Sequence, residues 1–352
     1  MFSPTFKHCC LDHCEFEDIA IIGKLKNLEI LSFLWSNIAQ LPSELGQLTK
    51  LRLLDLSDCY NLKVIAPRVI SSLIRLEELY MSNCSVEWEN EGSNGESSNP
   101  SLNELMHLPY LSALEIDIEN ENVLTRRLAL QKAGKKTSRI LKLKFNSTSI
   151  RSENLQGVKD VEYLYLDKLQ GVKNVVFELD TEGFTQLKHL HVQNNPEFLC
   201  IVDSMERVSC DAFPLLESLT LHYLINLEKI CRDELRAKSF HELNIIKIAM
   251  IDCENMEEIF AIGGENDANN NQVHDKIEFA QLTSLSLRSL PQLTCFCKVI
   301  TTQENLITRS SSQLFSEKVL LPNLEALELY EINVEKIWHN QLPILSSYAF
   351  EA

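Results

Sequence analysis

Residues 51–65, LRLLDLSDCYNLKVI, place Leu51, Leu54, Leu56, Cys59, Leu62 and Ile65 at successive steps of three, two, three, three and three. A step of two belongs to a strand, and steps of three belong to tighter turns or helices. The phrase recurs in LEELYMSNC (Leu76, Leu79, Met81, Cys84), VEYLYLDKLQGV (Val161, Leu164, Leu166, Leu169, Val172) and LKHLHVQNNPEF (Leu187, Leu190, Val192, Asn195, Phe198). It returns in LESLTLHYLINLEKI, LTSLSLRSLPQL and LEALELYEI, led by Leu219, Leu285 and Leu327. A unit this short cannot bury its apolar side alone, so successive copies must stack.

Such copies are leucine-rich repeats, and they predict an α/β repeat fold. The expected form is an open, curved solenoid with one parallel sheet on the concave face and mostly loops and short helices on the convex face. Taking Leu31, Leu54, Leu79, Leu114, Leu141, Leu164, Leu190, Leu219, Ile246, Leu285 and Leu327 as lead residues, the steps range from 23 to 42 residues. The whole span 1–352 therefore reads as one domain of about ten or eleven irregular repeats. Its longest steps hold polar inserts at 87–100, 263–275 and 300–318, expected as mobile loops away from the strands. Around Ile246 two registers fit, led by Ile246 or by Ile248 with Cys253 beyond it. FKHCCLDHC already matches a repeat, so the array starts almost at residue 1 without a cap, and both ends are expected to be cut.

Where the chain bends after each strand, an inward Asn or Cys can bond backbone groups that the turn would leave unpaired. Cys14, Cys59, Cys84 and Cys253, with Asn146 and Asn195, are expected to form that ladder. Cys59 and Cys84 are then buried free thiols.

LPSELGQLTKLRLLDLSDCYNLKVIAPRVISSLIRLEELYMSN, GVKNVVFELDTEGFTQLKHLHVQNNPEFLCIVDS, CENMEEIF and LPNLEALELYEINVEKIWHNQLP carry a more specific likeness. They resemble the leucine-rich repeat region of plant intracellular disease-resistance proteins of the coiled-coil, nucleotide-binding type, across nearly the whole chain. The resemblance implies a module that restrains a preceding nucleotide-binding switch domain and senses pathogen effectors or effector-modified host proteins. That switch is not in this sequence, so no cofactor is expected here, and ADP or ATP would belong to the switch. The implied partners are a pathogen effector, a guarded host protein or the receptor's own switch domain.

Enzyme chemistry has little support. His8, Cys9, Cys10, His13 and Cys14 have a zinc-binding composition, but no second ligand pair follows at a characteristic distance, and Cys9 and Cys14 read as core. Cys295 and Cys297 read as core filling. AGKKTS resembles a phosphate loop, yet Ala129 stands at the first glycine position and Lys136 replaces the required Ser or Thr. No metal site is expected.

Recognition then falls to the surface. Outward strand positions include Tyr80, Tyr163, Tyr165, His189, His191, His222, Tyr223, Arg288 and Tyr330. These side chains suit protein binding at the concave face. The alternative is that rings on neighbouring strands merely stack. Tyr165, His191 and His222 are expected side by side.

A basic cluster, Arg126, Arg127, Lys132, Lys135, Lys136, Arg139, Lys142 and Lys144, reads either as a solvated face or as a docking patch for an acidic partner. The rest of the chain is acidic, with 33 Lys and Arg against 50 Asp and Glu and a net charge of −17, which argues against nucleic acid. No apolar run approaches the roughly 20 residues of a membrane span. The start lacks a signal peptide's apolar core, and eleven cysteines, an odd number, suit a reducing compartment. A cytoplasmic protein is expected. Alternatives are another leucine-rich repeat adaptor, such as the substrate-recognition part of a ubiquitin ligase, or a surface-receptor ectodomain.

Overall fold

The computed structural model describes residues 6–88, 99–101, 103–106, 108–118, 140–145, 161–168, 173–174, 184–202, 213–231, 242–249, 255–263, 277–300 and 313–338. The chain divides into two compact units, Met1–Leu169 and Gln170–Ala352.

Strands of the first unit are β1 (His8–Cys10), β2 (Ile30–Ser32), β3 (Gln40–Leu41), β4 (Leu53–Asp55), β5 (Val64–Ile65), β6 (Glu78–Met81), β7 (Ala113–Ile118), β8 (Ile140–Phe145) and β9 (Tyr163–Asp167). All but β3 and β5 pair in parallel, each with the next, to form the main sheet. Register aligns Cys9, Leu31, Leu54, Leu79, Leu114, Leu141 and Leu164 in one row. The step of two works as expected, since Leu54 and Leu56 are buried while Asp55 between them is half-buried on the opposite side. On the returning half of the coils, short helical turns pack on one another: the 3₁₀ helices Ala20–Lys24 and Ser43–Gln47, then α1 (Val69–Ser72) and α2 (Asn103–Met106).

The second unit holds β10 (His189–Gln193), β11 (Cys200–Val202), β12 (Ser218–His222), β13 (Lys229–Cys231), β14 (Ile245–Ala249), β15 (Glu258–Gly263) and β16 (Ile277–Glu278). They are followed by β17 (Ser284–Leu290), β18 (Cys295–Ile300), β19 (Gln313–Phe315), β20 (Val319–Leu320), β21 (Ala326–Ile332) and β22 (Lys336–Trp338). Here β10, β12, β14, β17 and β21 pair in parallel with Leu190, Leu219, Ile246, Leu285 and Leu327 in one row. Ile246, rather than Ile248, therefore leads its strand. Each unit is thus a leucine-rich repeat stack, coil upon coil.

Among their loops and short helices the returning halves also carry short paired strands: β3 pairs with β5, β11 with β13, β15 with β18, β16 with β20 and β19 with β22. β-branched and aromatic residues such as Ile201, Val202, Phe260 and Phe296 are buried in those strands, where an extended backbone suits them. The insert at 300–318 is not polar loop throughout, because Leu314 and Phe315 in β19 are buried. The insert at 87–100 is anchored at both ends. Trp88 is buried, and the Asn99 amide spans the backbone of β5, accepting from the Ile65 N–H at 3.0 Å and donating to the Lys63 carbonyl at 3.1 Å. Residues 89–98, 264–275 and 301–312 of the three inserts lie outside the described residues.

Cys59 and Cys84 stand in the ladder, donating from Sγ to the carbonyls of Phe33 at 3.1 Å and Leu56 at 3.0 Å. Asn195, fully buried, donates to the Gln193 carbonyl. Cys14 departs from the expectation. It is exposed, and its Sγ reaches only the nearby Asp12 carbonyl, because β1 pairs on one side alone, with β2. The buried equivalent in the next coil is Ser36, whose hydroxyl accepts from the Cys14 N–H and donates to the Leu11 carbonyl. Cys253 and Asn146 lie outside the described residues. Beyond Asn195 the same place is taken by Leu224 and Leu290, both buried, so apolar packing replaces the polar link.

Burial pushes the Cys59 thiol up to about 11 and raises Cys84 as well. Thiolate is the reactive form, so a thiol reagent at about pH 8 should label the exposed Cys10 and Cys14 and spare Cys59 and Cys84 until urea is added. Rapid labelling of either buried cysteine in native protein would refute this placement.

Among the described residues, nine with positive φ share one position, four past the lead residue of their strand: His13, Trp35, Asp58, Asn83, Lys168, Asn194, Tyr223, Ser289 and Glu331, all between 54° and 60°. Their N–H groups tie coil to coil where the bonds are resolved. Trp35 donates to the Ser57 carbonyl, Asp58 to that of Ser82 and Asn194 to that of His222. At β7 the strand runs on through Ile118, and the Asp117 carboxylate accepts from the Asn83 N–H at 2.8 Å.

Candidate functional site

Parallel pairing turns the repeat's outward positions into columns across each sheet. One residue past the lead, the first unit sets Cys10, Ser32, Asp55, Tyr80, Glu115, Lys142 and Tyr165 in a row. Glu78 lies beside Tyr80, whose hydroxyl donates to Glu78 Oε2 at 2.6 Å. The half-buried phenol is held well above the usual tyrosine range, by burial first and then by Glu78. Tyr165, half-buried like Tyr163, is raised too, by burial first and then by the carboxylates of Asp167 and Glu115. This outward surface is acidic and rich in tyrosine.

Lys142 and Lys144 of the basic cluster sit within β8, at register positions between Glu115 and Tyr165 and between Asp117 and Asp167. Arg126, Arg127, Lys132, Lys135, Lys136 and Arg139 lie outside the described residues.

The second unit's columns carry both signs. His191, Thr220, Lys247, Ser286 and Glu328 form one column, and Gln193, His222, Ala249, Arg288 and Tyr330 another. His191 and His222 meet edge to face with centroids 5.3 Å apart, and His222 meets Tyr223 in the same way at 6.2 Å. Burial, followed by the charges of Lys247 and Arg288, lowers the His222 pKa, so the neutral imidazole is favoured. His189 is half-buried on β10. Arg288 pairs with Glu328 at 3.0 Å, and Ser286 donates to the same carboxylate oxygen at 2.9 Å. That arginine holds Glu328 below the ordinary carboxylate range. Tyr330 is 59% exposed.

The rings of His191 and His222 therefore stack and also keep part of their surface open. Tyr223 corrects its assignment as a strand residue. It is the left-handed turn just past β12, 46% exposed at the rim of the sheet.

Sequence reasoning missed the rim itself. In the first unit the same turns display His13 and Trp35, joined by Tyr60 from the next coil. Recurring Asp and Asn four residues past the lead, as in Asp58, Asn83 and Asn194, was the available signal, because these residues tolerate left-handed backbone best after glycine.

Of the cysteine-histidine stretch at the start, Cys9 is half-buried while Cys10 and Cys14 are exposed. Among the described residues, no three His, Cys, Asp or Glu side chains converge as a metal site. Cys297 is buried with its thiol pushed up to about 12, while Cys295 is only half-buried. Among the described residues, no helix is long and apolar enough to cross a membrane.

No protein-family model matches the chain. It is similar to the disease resistance protein At4g27190 of Arabidopsis thaliana, with 26% identity over an aligned length of 317, covering 78% of this chain and 32% of that protein. The chain thus spans about a third of the length of this curated relative, at 32%. Among solved structures, an internalin of Listeria monocytogenes aligns over 92% of this chain and 87% of its own, at 14% identity and a TM-score of 0.41. A leucine-rich repeat protein of Leptospira interrogans aligns over 90% and 76%, at 18% identity and a TM-score of 0.41. The fold assignment stands on the strand registers rather than on these alignments.

Proposed function

We propose that this chain, a leucine-rich repeat array similar to part of a plant disease resistance protein, is a protein-interaction module of a plant immune receptor. In this reading it works in the cytoplasm without catalysis of its own. It senses a pathogen effector or an effector-modified host protein and restrains a nucleotide-binding switch domain, where any ADP or ATP would bind. The observation that carries the reading is the outward face. Strand register sets its side chains in fixed columns, and half-exposed tyrosine and histidine occupy them beside carboxylates in one unit and beside Lys247 and the Arg288–Glu328 pair in the other. Rigid aromatic side chains give large contact area with little rotamer entropy to lose, which favours protein recognition.

The test is capture of partners from plant extract, and of nucleotide-binding receptor domains supplied in trans, by Tyr165→Ala and His191→Ala proteins. Glu317→Ala, an exposed change on the turn between β19 and β20, is the control. Truncating a central aromatic anchor commonly costs about 2 kcal/mol or more, so capture should fall at least about tenfold in the strand variants and hold in the control. Equal capture by all three folded proteins would remove the outward face of these strands from the mechanism.

A further inference from the structure

Three aromatic side chains of the first unit lie open at the rim beyond β1, β2 and β4. His13 lies parallel to Trp35 with centroids 6.3 Å apart, and Tyr60 meets Trp35 edge-on at 5.6 Å. Trp35 and Tyr60 are 50% and 52% exposed, although the apolar core close beside them is filled. Trp35 also sits at φ 59°, a conformation that a bulky residue rarely adopts. Neither burial nor backbone preference accounts for a tryptophan there.

The surroundings are held in place. Tyr60 donates its hydroxyl to Asp58 Oδ1 at 2.9 Å, and Asn83 donates to the same oxygen at 2.8 Å. Asn61 donates to Asn37 Oδ1 at 2.8 Å, and Asn37 donates onward to Glu15 Oε1 at 2.7 Å. A surface ordered before contact loses less entropy on binding.

Its charge is mostly of one sign. The four turn segments 11–18, 34–40, 57–63 and 82–88 contain the six carboxylates of Asp12, Glu15, Glu17, Asp18, Asp58 and Glu87 against one cation, Lys63. Indole and phenol faces attract cations through the ring quadrupole, and neighbouring carboxylates add direct ion pairing. Arginine satisfies both at once, because its planar guanidinium stacks on an aromatic ring while its edge donates to a carboxylate.

We propose that this aromatic rim is a docking surface for a basic, arginine- or lysine-bearing segment of a protein partner, with the cation seated against Trp35 and Tyr60 beside Asp58. The assignment rests on the reading of the chain as an interaction module, but it uses the rim rather than the strand columns.

The probe is a fluorescein-labelled peptide of alternating arginine and glycine, titrated by anisotropy with the full chain at about 0.15 M salt, where distant charges are screened. A glutamate-glycine peptide serves as the charge-reversed partner. The arginine peptide should bind and the glutamate peptide should not. Trp35→Ala and Tyr60→Ala should each weaken binding by about tenfold, whereas Glu325→Gln, an exposed carboxylate of the second unit, should change it less than about twofold. Trp35→Gly removes the ring while relieving the left-handed backbone, so it should lose binding without losing stability. Protection of Cys59 and Cys84 from thiol reagent reports that each variant is folded. Equal weakening by Trp35→Ala and Glu325→Gln would reduce the effect to bulk attraction by an acidic protein and overturn the proposal. So would unchanged binding by Trp35→Gly. Either result would leave partner capture through Tyr165 and His191 to stand or fall by its own measurement.

Discussion

Replacing Phe296 by alanine should cost the second unit about 3–5 kcal/mol, among the larger effects expected of a single core truncation. Phe296 is fully buried in β18 and touches three other phenylalanines: Phe260 at 5.4 Å, Phe279 at 5.3 Å and Phe315 at 5.3 Å between centroids. Phe315 passes the stack on to Trp338 at 5.4 Å. One ring therefore joins the returning strands of successive coils, and its loss leaves a cavity bounded by side chains that cannot all move inward together. Phe296→Leu retains much of the volume and should cost less. Urea unfolding gives the size of the loss, and hydrogen exchange gives its place, since stacked repeats depend on nearest neighbours. Exchange should accelerate in 258–300 and 313–338 before it does in the first unit. A loss below about 1 kcal/mol would mean that the site collapses around the deletion and that the stack is not a structural unit.

The other large effect comes from adding a single methyl group. Gly23 is buried in the turn Ala20–Lys24, and a Cβ placed there would stand 2.3 Å from the Glu44 carbonyl oxygen and 2.7 Å from its carbon. Both are backbone atoms of the turn in the next coil, so no rotamer change can make room. Gly23→Ala should cost about 1–3 kcal/mol as two coils are forced apart. Gly46, one coil further, offers a matched comparison. Its added Cβ would lie 3.3 Å from the Ser72 side chain, and Gly46→Ala should stay within about 0.5 kcal/mol of the parent. If the two variants unfold at the same urea concentration, close approach at Gly23 is not what sets the spacing of these coils.

The strands were easy to read because a buried lead residue and a second one two places on form a pattern that few structures share. Every lead residue from Leu31 to Leu327 takes the register that the repeat implies, Ile246 included. The returning half was harder. CIV at 200–202 and KIC at 229–231 are too short to show alternation, and their pairing depends on which coil lies beside them, which a single repeat does not encode. Asn99 shows the same limit. It sits in a run of Ser, Gly and Asn, yet its amide takes the place of a strand beside Val64–Ile65.

For the candidate site, strand parity correctly set Tyr80, Tyr165, His191 and His222 on half-open outward positions. Parity says nothing once the strand ends. Trp35 and Tyr223 therefore escaped notice or were misplaced, because a left-handed turn redirects the chain over one residue. Their surroundings were also hidden, since Asp58, Tyr60 and Asn83 meet only through bonds between coils.

The turn's fixed offset has a consequence for change over time. In nine of the coils the left-handed turn lies four residues past the lead residue, although the interval from one lead residue to the next runs from 22 residues, at Cys9 to Leu31, to 42, at Leu285 to Leu327. Length can therefore vary freely in the returning path without putting the next strand out of phase. A deletion of one residue between Leu54 and Asp58 would exchange inward for outward side chains from that point in the coil. Gains and losses of sequence should accumulate on the return path, while the exposed columns change by substitution alone and so can acquire a new partner without rebuilding the coil that displays them.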